Sequence, residues 1–65
     1  MSTKININRA SFEELQKIIH IGPKRAQKII DNRPFKDIYE LSLVKGLGKI
    51  RMNKIFELDI ITTKL

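Results

Sequence analysis

His20-Ile21-Gly22-Pro23-Lys24-Arg25-Ala26 and Gly46-Leu47-Gly48-Lys49-Ile50-Arg51-Met52 align at an offset of 26 residues, each with a glycine at its third position. The correspondence extends both ways. Upstream, Phe12, Glu14, Leu15 and Ile18 match Ile38, Glu40, Leu41 and Val44; downstream, Ile29 and Ile30 match Ile55 and Phe56. Apolar falls on apolar and acid on acid. The repeated unit is an apolar helix-like stretch, a glycine turn, and a second helix opening with basic residues. Two such units predict a compact all-α, four-helix domain whose copies pack on each other about a pseudo-two-fold axis.

Helix boundaries follow from local chemistry. Ser11 before Phe12-Glu13-Glu14 makes a capping box, in which the hydroxyl and the Glu14 carboxylate each satisfy a free backbone N–H. The first helix is therefore expected to start there, with Phe12, Leu15, Ile18 and Ile19 forming one apolar stripe up to Ile21-Gly22. Pro23 favours the first position of the second helix, since its missing N–H would lack an intrahelical partner anyway. That helix is expected over about 23 to 32, ending where Asn32-Arg33-Pro34 pushes the chain out of the helical region. Asp37-Ile38-Tyr39-Glu40 repeats the capping box with Asp for Ser, and the third helix is expected to reach about 44. The fourth follows Gly46-Leu47-Gly48, with Met52, Ile55 and Phe56 inward and Lys49, Arg51 and Lys54 outward. The first motif thus covers about 11–32 and the second about 37–57 of a single 1–65 domain, flanked by an extended arm over 1–10 and a tail over 58–65. Ile5 and Ile7 alternate with polar residues in the arm, suiting one docked face. Tyr39, on an acidic helix, is expected to be partly buried or exposed rather than a base-stacking residue.

Composition narrows the function. With 65 residues, no cysteine and one histidine, the chain has neither a disulfide framework nor a zinc-finger arrangement, so stability rests on apolar packing. Its apolar residues never form a run long enough to span a membrane. No signal segment opens the sequence, so a cytoplasmic location is expected, or an extracytoplasmic one if the chain is cut from a membrane-anchored receptor. Thirteen Lys plus Arg against seven Asp plus Glu give a net charge of +6, favouring polyanionic partners. The charge is also sorted. Lys24, Arg25, Lys28, Arg33, Lys36, Lys45, Lys49, Arg51 and Lys54 fall in the turns, second helices and link, whereas Glu13, Glu14, Asp37 and Glu40 open the first helix of each copy. No clustered acid pair, nucleophile triad or Walker-type loop is present, and the chain is read as non-catalytic, with no cofactor and no metal site.

The turns carry the chemistry. A helix amino end presents unpaired N–H groups and about half a positive charge, which suits an anion. Glycine before the helix permits positive φ and close approach of a phosphate, and basic residues on the first helical turn add charge-assisted contacts.

On these residues the chain resembles tandem helix-hairpin-helix domains, most closely those of the bacterial competence DNA receptor (ComEA-like) family. Ile5-Asn6-Ile7-Asn8-Arg9-Ala10-Ser11 is similar to that family's opening, Gly22-Pro23-Lys24-Arg25-Ala26 to its first hairpin, Arg33-Pro34-Phe35 to its link, and Val44-Lys45-Gly46-Leu47-Gly48-Lys49 to its second hairpin. The resemblance implies sequence-independent binding of double-stranded DNA, each hairpin holding phosphates of one strand across the minor groove. The implied site is Ile21, Gly22, Lys24, Arg25 and Lys28 in the first hairpin, and Gly46, Leu47, Gly48, Lys49, Ile50 and Arg51 in the second. His20 departs from the family by replacing the first glycine, which predicts a dominant second hairpin. In some families such hairpins also hold a monovalent cation through turn carbonyls. Two alternatives stay open: a protein-interaction or structural module on the same fold, and the DNA-holding appendage of a larger uptake or repair machine. A monomer is expected.

Overall fold

The computed structural model describes residues 4–64. Residues 1–3 of the expected arm and Leu65 of the expected tail lie outside them. The order is β1 (Ile5–Asn6), α1 (Phe12–Leu15), α2 (Pro23–Asn32), a 3₁₀ helix (Ile38–Leu43), α3 (Gly48–Leu58) and β2 (Ile61–Thr62). Helices dominate, as the repeat predicts. Among the described residues no helix is long and apolar enough to cross a membrane.

The repeat survives folding as a single core. Leu15, Ile18, Ile21 and Ile29 of the first copy are buried, and so are Leu41, Val44, Leu47 and Ile55, their counterparts 26 residues on. Phe12 and Ile30 pack against this cluster from one copy, Ile38 and Phe56 from the other. Every buried side-chain nitrogen or oxygen among the described residues has a hydrogen-bond partner.

The first helix of each copy winds more tightly than expected, and that of the first copy is also shorter. α1 spans four residues, and the chain continues through Gln16 N–H to Glu13 O, Lys17 N–H to Glu14 O, and Ile18 N–H to Leu15 O, all three-residue bonds. Its counterpart is 3₁₀ throughout. The cause is visible in the spacing. Phe12, Leu15, Ile18 and Ile21 recur every three residues, as do Ile38, Leu41, Val44 and Leu47, and a helix of about three residues per turn puts such a series on one face. The seventh-residue member of the expected stripe, Ile19, is accordingly turned outward, 39% exposed. The first helix start carries the predicted capping box, Glu14 N–H donating to Ser11 Oγ at 3.1 Å with the reciprocal carboxylate bond; at the second the expected box is corrected to a single cap, Tyr39 N–H donating to Asp37 Oδ1 at 2.9 Å. In the second, the Glu40 carboxylate reaches past the cap to accept from Lys36 N–H.

Arm and tail pair with each other, which the sequence did not announce. β1 and β2 form a parallel two-residue ladder, Ile5 opposite Ile61 and Asn6 opposite Thr62, extended by Ile5 N–H to Ile60 O at 2.8 Å and Ile7 N–H to Thr62 O at 2.9 Å. Ile7, Ala10 and Ile61 thereby enter the core. The Asn8 amide then pins the link: its Nδ2 donates to Phe35 O at 2.9 Å, and its Oδ1 accepts from Phe35 N–H at 2.6 Å. Phe35 is buried beneath. Tyr39 is 66% exposed, its ring edge-on to Phe56 with centroids 5.1 Å apart.

Candidate functional site

The two turns are near-copies with one backbone difference. His20 (φ 69°) and Gly46 (φ 88°) both adopt left-handed conformations. The histidine thus keeps the turn made by glycine in the second copy, at a residue type that tolerates positive φ comparatively well. The difference lies two residues on, where Gly22 is extended (φ −95°, ψ −172°) and Gly48 has φ 78°. A φ of this sign is not helical, so Gly48, although counted within α3, serves as its capping residue, as Gly22 does for α2.

Neither hairpin helix receives a side-chain cap. The contrast with Ser11 and Asp37 is informative. In each copy the first helix has one first-turn N–H bonded to the side chain of its capping residue, while the second helix has none so bonded. Ala26 N–H closes the first turn of α2 onto Gly22 O at 2.9 Å. The amides of Lys24 and Arg25 are then the donors lacking a carbonyl four residues back, Pro23 having none to offer. In α3 the same accounting leaves Lys49, Ile50 and Arg51. Pointed outward, such groups favour an anion.

Residues of the expected site differ in exposure, Gly22 being intermediate. Lys24, Lys28, Gly46, Gly48, Lys49, Ile50 and Arg51 are exposed, Ile50 at 86%. Ile21 and Leu47 are core residues, and Ile21 N–H already donates to Ile18 O at 3.1 Å. The tight 3₁₀-type turn therefore engages the Ile21 amide within the protein. Arg25 is half-buried and committed elsewhere: Nη1 donates to His20 O at 3.1 Å and Nη2 to Gly46 O at 2.8 Å. Lys28 Nζ reaches Lys45 O at 3.4 Å.

These contacts floor a groove of about 550 Å³ between the two turns, lined by Gly22, Pro23, Lys24, Arg25, Lys28, Lys45 and Gly46. Lys45 is absent from the residues expected from sequence. It lines the groove because the turns converge in space, its carbonyl accepting from Lys28 Nζ, and only its place in the charge sorting hints at this. Arg33 leaves the set of free cations, since its guanidinium donates to Ala10 O at 2.9 Å and holds the arm. The carbonyls of the two equivalent left-handed residues, His20 and Gly46, face a guanidinium rather than open solvent. Among the described residues there is no group of three or more His, Cys, Asp or Glu able to hold a metal ion.

Comparison with known proteins agrees with this anatomy. The helix-hairpin-helix motif family matches residues 1–57. A deoxyribonuclease of Thioalkalivibrio sp. (strain K90mix) is 41% identical over 51 residues, which is 78% of this chain and 14% of that protein. ComE operon protein 1 of Bacillus subtilis (strain 168) is 40% identical over 55 residues, 78% of this chain and 27% of that protein. The chain therefore spans about a quarter or less of the length of these relatives. With the family's motif matched across most of the chain, and with two glycine turns each feeding an uncapped helix, the chain belongs to the helix-hairpin-helix family and is similar to the ComEA-like branch within it.

Proposed function

We propose that the domain binds double-stranded DNA through its phosphates, with little regard to sequence, one hairpin to each strand across the minor groove. The observation that carries this reading is the selective capping: Ser11 and Asp37 close the first helices, while α2 and α3 begin at glycine with no side-chain cap and with Lys24, Lys49 and Arg51 exposed beside them. Phosphate oxygens supply the missing acceptors, and the net charge of +6 adds a long-range attraction. The family membership and the names of the two relatives support DNA as the partner. The second hairpin is the stronger half-site, because α3 has three first-turn N–H groups to offer where proline leaves α2 with two. The domain holds DNA and does not cut it; the activity named for the deoxyribonuclease belongs to a much longer protein. In the same reading it acts as the DNA-holding part of a larger uptake or repair machine.

Fluorescence anisotropy with a short duplex and its single strand, titrated across salt, tests the proposal. If about four phosphates are neutralised, log affinity falls with log salt at a slope of about 3.6, with dissociation constants of order 10⁻⁴ to 10⁻⁶ M near physiological salt. The Lys49→Glu, Arg51→Glu double variant abolishes binding while helicity and melting stay unchanged. Salt-insensitive binding, or unchanged affinity in that variant, refutes the reading and favours a protein-interaction role.

A further inference from the structure

Arg25 sits at the point where the repeat meets itself. His20 and Gly46 are equivalent residues of the two copies, both left-handed, and the Arg25 guanidinium donates one N–H to the carbonyl of each, at 3.1 and 2.8 Å. The symmetric counterpart Arg51 is exposed and has no such bond among the described residues. A planar fork with fixed donor directions can bridge two carbonyls in this way, whereas an ammonium is a point charge on a flexible stem. From the next turn of α2, Lys28 reaches the adjacent carbonyl of Lys45 at 3.4 Å. The basic face of α2 is therefore turned partly onto the second hairpin and not wholly onto solvent.

We infer that Arg25 is a positioning residue: it ties the two hairpin turns together and fixes their separation and mutual angle, so that both meet the phosphates of one duplex at once. The inference rests on the DNA-binding reading for its consequence, but the tie itself is a property of the free protein. Two phosphate sites held on one rigid body bind as a linked pair, and their combined affinity falls when the geometry between them is lost. Arg25 thus contributes to binding through the hairpins, and its charge is secondary.

Arg25→Lys separates these roles because it keeps the charge and removes the fork. In the free protein, amide NMR spectra of Arg25→Lys and Arg25→Gln are expected to show moved Gly46 and Leu47 resonances, while those of Ile29 and Ile30 in the same helix as residue 25 stay in place. In duplex titrations both variants are expected to bind at least about tenfold more weakly, the scale of losing a charge-assisted hydrogen bond. The salt slope is expected to fall by more than the roughly 0.9 that a single phosphate contact accounts for. Unmoved Gly46 and Leu47 resonances overturn the tie. Wild-type affinity and slope in Arg25→Lys, with loss only in Arg25→Gln, overturn the positioning role and make Arg25 an ordinary phosphate contact. A wild-type protein that fails to bind the duplex defeats the DNA-binding reading instead, and with it the consequence drawn here for Arg25, while the resonances of Gly46 and Leu47 still decide whether the tie exists.

Discussion

Replacing Gly46 by alanine, His20 by glycine and Gly22 by alanine perturbs three turn positions, two of them left-handed and the third extended. Gly46 has φ 88°, and a Cβ built there meets nothing within 4 Å. Alanine therefore meets no clash with neighbouring atoms, and its cost is the intrinsic one of an L-residue at positive φ, about 1–2 kcal/mol. The loss of unfolded-state freedom offsets about 0.4–1 kcal/mol of this, leaving a net destabilisation of about 1 kcal/mol. At His20, φ 69°, the sign reverses. Glycine relieves the left-handed strain but brings its own entropic cost of about 0.5–1 kcal/mol. Because the histidine side chain is exposed, no packing is lost, and a stabilisation of about 0.5 kcal/mol is expected. Gly22 is the control: its φ of −95° is open to any residue and its Cβ would also meet nothing within 4 Å, so alanine should fall within about 0.5 kcal/mol of wild type, as surface substitutions usually do. Urea denaturation followed by circular dichroism measures all three, with m expected to stay constant. In a domain of this size, 1 kcal/mol corresponds to roughly 4–8 °C in melting temperature. An unaffected Gly46→Ala, or a Gly22→Ala as damaging as Gly46→Ala, would refute the assignment of strain to the first residue of each turn.

Gly22→Ala carries a second consequence, since a methyl group that the fold tolerates still stands between the backbone and a phosphate: duplex affinity should drop by anisotropy while melting does not change. Asn8→Ala removes both bonds to the Phe35 backbone and should cost about 1–3 kcal/mol in chemical denaturation; a near-neutral result would mean that water replaces the amide. Leu15→Ala and Leu41→Ala, at equivalent fully buried positions, should each lose about 2–5 kcal/mol. Against a total of about 3–10 kcal/mol for a chain of this length, either loss is a large share, and each variant should melt at least about 8 °C below wild type.

Much of the architecture was legible because the repeat writes it twice. The caps at Ser11 and Asp37, the start of α2 at Pro23 and the four matched core pairs are local or periodic features, and each appears where the residues place it. At short range the sequence does not distinguish α from 3₁₀ winding in the first-type helices, because Phe12, Leu15 and Ile18 suit both periods; Phe12–Leu15 is α and Ile38–Leu43 is 3₁₀. Extending the series to Ile21, and its echo to Leu47, would have exposed the three-residue spacing. The candidate site is half legible: the glycine turns and the basic residues Lys24, Lys49 and Arg51 are read from local pattern, whereas the approach of Lys45 to the groove and the bond from Ile21 N–H to Ile18 O depend on how the turns fold.

By itself the sequence determined what depends on near neighbours: the helix starts, the turn glycines, the duplicated core and a basic surface at the hairpins. In the paired hairpin sequences the visible asymmetry is histidine at 20 against glycine at 46. Tertiary structure decided otherwise, since His20 keeps the left-handed turn and the two hairpins differ at Gly22 and Gly48. It also decided where Arg25 goes. Its second acceptor, the Gly46 carbonyl, lies 21 residues away, just as the partner of Ile5 in the strand ladder lies at Ile61. Such contacts form only once both copies have packed on a shared core, and no local preference of either segment encodes them.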